Sequence, residues 1–230
     1  MDTKNAFMEV ESCVKDFEGF EQNSQKLIEA MMMSSVRGFG WSVGLVIDTP
    51  EFSPKLTEDG IETIIKTDES LDHWTLNYRG DLFIMQTLFE DRRDKSSIYL
   101  DTRLVRTLET FARIGALYRY MGLNNNKVIS VKLAYKGLLN RKLSIANTGQ
   151  FMPPLSPRVS SVGSFTKHLE YTLEQLTSLK SLKEITYSYC NEFLRVFNEY
   201  NLPKDVAETA MNEHSVIKGV EQVFRVSPRP

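Results

Sequence analysis

The run from Asp101 to Met121 limits the fold more than any other stretch of the chain. Leu104, Leu108, Phe111, Gly115 and Tyr118 recur at spacings of four and three, and Val105 and Ala112 broaden the stripe. Asp101 offers a carboxylate to the free amides of a first helical turn, and Gly122 stands where a left-handed residue ends a helix. A long helix with one oily face needs a second layer to bury it.

The rest of the sequence supplies that layer. Ile61 to Ile65 follows an Asp59-Gly60 turn and reads as a strand. Trp74 to Tyr78 and Leu82 to Leu88 flank Arg79-Gly80-Asp81 and read as a hairpin. Trp41 to Ile47, closed by Asp48-Thr49-Pro50, also reads as a strand, as do Val128 to Leu133 and Phe165 to Leu173. Ser97 to Leu100 and Leu143 to Ile145 add short extended pieces. A second strong helix is expected from Ser181, with Glu184 closing a capping box and Leu182, Ile185, Tyr189, Phe193, Val196 and Tyr200 as its stripe. Pro203 opens a shorter helix to about His214, and the residues beyond it read as a frayed end. Asn5 to Phe17 and the stretch from Ser24 have mainly helical spacing.

The expected fold is α+β. Residues 38–230 form one domain in which a mixed or antiparallel sheet is packed by two long amphipathic helices. Residues 1–37 precede it as a helical pair, and 148–163, rich in proline, glycine and serine, form a loop.

Composition narrows the function classes. Of 230 residues, 41% are hydrophobic and 25% charged, proportions that exclude wholesale disorder. A net charge of −2 gives no global basic field, so a nucleic-acid contact needs a local patch. Cys13 and Cys190 are too few and too distant for a disulfide framework. The first residues lack a signal-peptide pattern and no apolar run reaches the ~20 residues of a membrane span, so the expectation is a cytoplasmic protein without a membrane partner.

No complete catalytic constellation is legible. His73, His168 and His214 are isolated, and neither cysteine has a chelating neighbour, so no metal or cofactor is expected. Gly38, Gly40 and Gly44 stand in the wrong order for a dinucleotide fingerprint, which must follow a strand and open a helix. Arg37-Gly38-Phe39-Gly40-Trp41 resembles the start of an RNA-contact strand, but Ser42 and Gly44 break the pattern. Asp48, Glu51, Asp59 and Glu62 would suit magnesium if their strands brought them together. Arg92 and Arg93, with Arg103, Arg106 and Arg113 on the polar side of the Asp101 helix, form a candidate patch for nucleic acid or an acidic partner, diluted by Glu109. Met31, Met32 and Met33 are a candidate partner interface, because methionine adapts to irregular surfaces, with core filling as the plainer alternative.

One pattern of turns and core positions spans about Gly40 to Ile145. It runs from Gly40-Trp41-Ser42-Val43-Gly44 and Asp48-Thr49-Pro50-Glu51 through Asp59-Gly60-Ile61 and the Tyr78 to Leu82 hairpin. Leu88-Phe89-Glu90-Asp91, Tyr99-Leu100-Asp101-Thr102-Arg103, Gly122, Val131 and Gly137-Leu138-Leu139-Asn140-Arg141-Lys142-Leu143 complete it, with Phe193-Leu194-Arg195-Val196-Phe197 beyond. The pattern resembles the region that follows the Schlafen-type Alba-like domain in bacterial proteins labelled DNA- or ATP-binding. The Alba-like domain itself is absent, so its functions do not transfer. The resemblance implies an accessory or sensing module in a bacterial or phage-defence setting. Together these readings predict a non-catalytic interaction module that binds a protein partner or itself. A nucleic-acid accessory factor using the arginines and a magnesium-dependent hydrolase are the alternatives.

Overall fold

The computed structural model describes residues 5–36, 41–68, 70–146, 156–213 and 216–225. Among the described residues, nine strands and six helices follow the chain in this order: β1 (Phe7–Val14), α1 (Ser24–Met33), β2 (Lys55–Leu56), β3 (Gly60–Lys66), β4 (Leu71–Asn77), β5 (Leu82–Thr87), β6 (Ser97–Tyr99), α2 (Leu100–Tyr120), β7 (Val128–Lys136), β8 (Lys142–Ser144), β9 (Ser164–Thr172), α3 (Leu173–Thr177), α4 (Leu179–Leu194), α5 (Lys204–Glu213) and α6 (Val216–Phe224). A 3-10 turn, Phe89–Arg92, joins β5 to β6. Seven strands pair antiparallel in the order β2-β3-β4-β5-β1-β7-β9, while β6 and β8 form a separate parallel pair.

The sheet has two unlike faces. Met8, Val10, Trp74, Leu76, Leu82, Ile84, Ile129, Val131 and Leu133 alternate inward and are buried. Against them lies α2, of which every residue but Arg119 is buried. The other helices close round α2, so it is a core element and not a surface helix with one wet side. The opposite face of the sheet carries no packed helix in the described residues, an arrangement open to antiparallel sheets.

The expected α+β architecture with an antiparallel sheet and packed helices is present, and the β4–β5 hairpin, α2, β7, β9 and α5 lie where the sequence places them. Four expectations are corrected. The first of the two N-terminal helices is strand β1, seated between β5 and β7 in the middle of the sheet. Residues 1–37 are therefore no separate helical segment: the first strand of the α+β core comes from them. Residues 41–47 form an irregular connection, held by Ser42 Oγ donating to Val36 O and Trp74 Nε1 donating to Leu45 O. The cap of α4 is Ser178, which accepts from Ser181 N, and the capping box belongs to Thr172 and Gln175 at the start of α3. The expected frayed end contains α6, which buries Val216, Val220 and Val223. The Arg37–Gly40 motif, His214 and much of the 148–163 loop lie outside the described residues.

Candidate functional site

The arginines divide by burial. Arg92 and Arg93 are exposed, but Arg103, Arg106 and Arg113 are 2%, 5% and 1% exposed, so the five form no common surface patch. Each buried guanidinium is held from within. Arg103 Nη2 donates to Glu90 Oε2 at 2.8 Å and lies 5.5 Å from the Tyr135 ring centre. Burial opposes its charge, but Glu90 and the Tyr135 hydroxyl more than offset that and raise its pKa. Arg106 Nη1 pairs with Glu109 Oε2 at 2.6 Å, one helical turn away. Arg113 Nη2 donates to the Met31 carbonyl at 2.8 Å, and burial pulls its pKa down to about 10. The charges that the sequence offers as part of a binding patch are a set of internal struts.

Beside these struts lies a small polar recess lined by Trp41, Ser70, Asp72, Gln86, Arg92, Arg103 and Arg106 among others. Burial pushes the Asp72 carboxyl up to about 6, although Trp41, Gln86, Arg106 and Arg92 pull it back. At about 30 Å³ the recess has room on the scale of a water molecule.

The other expected clusters also come apart. Among the described residues no three His, Cys, Asp or Glu side chains gather as a metal site. Asp48, Glu51 and Asp59 point to solvent, and Glu62 Oε1 instead accepts from His73 Nε2 at 2.8 Å. Met31 is fully buried against α2, whereas Met32 and Met33 are 48% and 38% exposed. Cys190 is buried and its thiol is pushed up to about 12.

What the sheet register does assemble is a surface on the open face. Pairing places Thr75 (β4), Phe83 (β5), Glu11 (β1), Lys132 (β7) and His168 (β9) in one row across five strands. Glu62 of β3 continues it beside Thr75. Asn77, Asp81, Cys13 and Ser130 lie along the next row, and together with Thr75, Phe83, Glu11, Lys132 and His168 they line a concavity of about 410 Å³. Strand twist makes such a wide sheet concave, and the size falls within the range of sites that hold small molecules or peptide side chains. Charges on this face are paired: Lys132 Nζ to Glu11 Oε1 at 2.7 Å, Lys136 Nζ to Glu9 Oε2 at 2.7 Å, and Lys15 Nζ to Glu170 Oε1 at 2.5 Å. Phe83 meets His73 edge to face at 5.5 Å between ring centres.

Cys13 and His168 share the concavity but do not form a nucleophile–base pair. Their strands are separated by β7, so they stand two strand spacings, about 10 Å, apart. Burial and then Asp81 raise the Cys13 thiol above its ordinary value, away from the thiolate form that attacks substrates.

The sequence presents His168 and Cys13 only as isolated residues and gives no sign of Glu11, Thr75, Phe83, Ser130 and Lys132. The available signal was the outward half of each strand's alternation; the strand order that joins those halves is not written in any local stretch. Comparison with known protein families, with curated proteins and with solved structures finds no match for this chain.

Proposed function

We propose that the chain is a non-catalytic interaction module that receives a polypeptide partner on the open face of its sheet. The row from Thr75 through Phe83, Glu11 and Lys132 to His168, with its concavity, is the observation that carries this reading. Its chemistry favours a mixed-charge polypeptide: hydrogen-bonding groups of both kinds, paired ions of both signs and an aromatic floor. A phosphate backbone would ask for unpaired cations instead, and three of the five arginines considered for that role are internal. The exposed methionines Met32 and Met33 offer a secondary contact beside the sheet. No helix among the described residues is long and apolar enough to cross a membrane. A cytoplasmic setting is part of the proposal. The Schlafen-associated resemblance adds the context of an accessory component in a bacterial or phage-defence system.

A photo-cross-linking amino acid placed at Thr75 tests the reading in cells that produce the chain. Discrete adducts are expected from position 75 and none from the same group placed at Glu184, on the exposed side of α4. Equal labelling at both positions, or none at 75, would remove the open face as a docking surface. A gel shift with DNA or RNA that is lost in Arg92→Ala, Arg93→Ala would redirect the assignment to nucleic acid.

A further inference from the structure

The sheet ends on one side in a long strand. β9 pairs with β7 along all nine of its residues, and among the described residues no strand hydrogen-bonds its other edge. Such an edge presents a row of free amides and carbonyls, which in a stable protein is blunted or paired. At the far edge the two-residue β2 pairs only with Ile61 and Glu62 of β3, and the stretch of β3 beyond it is shorter than β9. On β9 the inward side chains Phe165, Leu169 and Tyr171 pack against the core yet remain half-buried, so apolar surface lies along the same edge.

We propose that a second copy of the chain pairs with β9 through β9 of its own, antiparallel about a two-fold axis at Leu169. The charge pattern of the strand selects this register. A two-fold axis perpendicular to the sheet keeps like faces together, so residues directly opposite must come from the same face. Centring the axis on Leu169 sets His168 opposite Glu170 twice, Thr166 opposite Thr172 twice and Lys167 opposite Tyr171 twice. Centring it on Lys167 or Glu170 would set like charges face to face, and centring it on His168 would set that histidine against itself. The ladder from Thr166 to Thr172 stops where α3 begins, so the next helix does not interrupt it. Leu169 then meets its own copy on the inner side, and the half-buried apolar edge is covered. The assembly joins two seven-stranded sheets into one and sets two copies of the docking face side by side. It thus deepens the interaction reading, on which its functional meaning rests, by naming the chain itself as one partner.

Light scattering coupled to size exclusion, across micromolar to submillimolar concentrations of the full chain, tests the pairing. The wild type is expected to show twice the chain mass at the upper end. Glu170→Lys places a cation against His168 at two symmetric points and should weaken the dimer about tenfold. Adding His168→Glu sets a carboxylate against the new lysine at both points and should recover most of that loss. Glu170 also pairs with Lys15 of its own chain, so Lys15→Gln is the control, and it should leave the dimer intact. Circular dichroism melting checks that each variant is folded. A wild type that stays monomeric throughout, or a double variant no tighter than Glu170→Lys, would overturn the proposal. Failure here leaves adducts at position 75 untouched, and loss of those adducts leaves the dimer untouched, so the two readings fail separately.

Discussion

At the residue scale, α2 shows how much a buried charge depends on its partner. Glu90 is fully buried, accepting from Arg103 Nη2 through one oxygen and from Tyr99 N at 3.0 Å through the other. Glu90→Ala strands the Arg103 charge in the core and should cost about 3–5 kcal/mol in urea unfolding. Arg113 is different, because its Nε and Nη1 lack hydrogen-bond partners among the described residues. Arg113→Leu should therefore change stability by less than about 1 kcal/mol, or increase it, in the same measurement. Asp72 adds a pH dependence whose sign is fixed by its raised pKa. The folded chain holds the Asp72 proton up to about pH 6, whereas an unfolded aspartate releases it near 3.8. Its favourable contribution is thus complete below the lower value and is lost as pH rises through the upper one, by at most about 3 kcal/mol. Asp72→Asn should stabilise the chain at pH 7.5 and give no gain at pH 4, as read by urea midpoints.

At the element scale, the sequence was most legible where one periodicity served one environment. The β4–β5 hairpin, β9 and α5 are of that kind, and the span of α2 was also clear. The environment of α2 was not, since arginine at a polar helical position looks the same whether water or a buried glutamate answers it. In β1 the inward set Met8, Val10 and Val14 is interrupted by Ser12, whose hydroxyl shares a hydrogen bond with Tyr118 at 2.9 Å. Phe7 and Cys13 add apolar residues on the open face, and the sum imitates a helical repeat. In α6 the apolar spacing was present, but Gly219 and three valines lower helix propensity and hid it. Gly115 is one member of the α2 stripe in the sequence, and the structure gives it a sharper role. A Cβ there would lie 2.3 Å from the Leu176 carbonyl oxygen, so glycine lets α3 approach α2. Gly115→Ala should cost about 1–3 kcal/mol in thermal unfolding, through overpacking. Gly122, with φ +87° and no atom within 4 Å of its would-be Cβ, should cost only about 1 kcal/mol as alanine, from backbone strain alone.

At the scale of the whole molecule, the sheet is closed by its earliest strand. β1 pairs with β5, some 75 positions later, and with β7, at least 115 positions later. Neither pairing leaves a local trace, which is why both the strand and the concavity it helps to line were out of reach of pattern reading. The buried Asp91 ties the same region down, accepting from Ala6 N at 2.6 Å and pairing with Arg141. A chain lacking residues 1–17 would split the sheet into β2-β3-β4-β5 and β7-β9, each with a bare edge. It would also expose the inner side chains that Met8 and Val10 cover. Were the N-terminal stretch a separate helical segment, the same deletion would leave a folded core. The topology instead requires loss of the cooperative unfolding transition, with heat-independent circular dichroism and dye binding to exposed apolar surface. Adding a synthetic peptide of residues 5–17 should restore the transition in proportion to peptide concentration, because binding to the native state alone stabilises it by mass action.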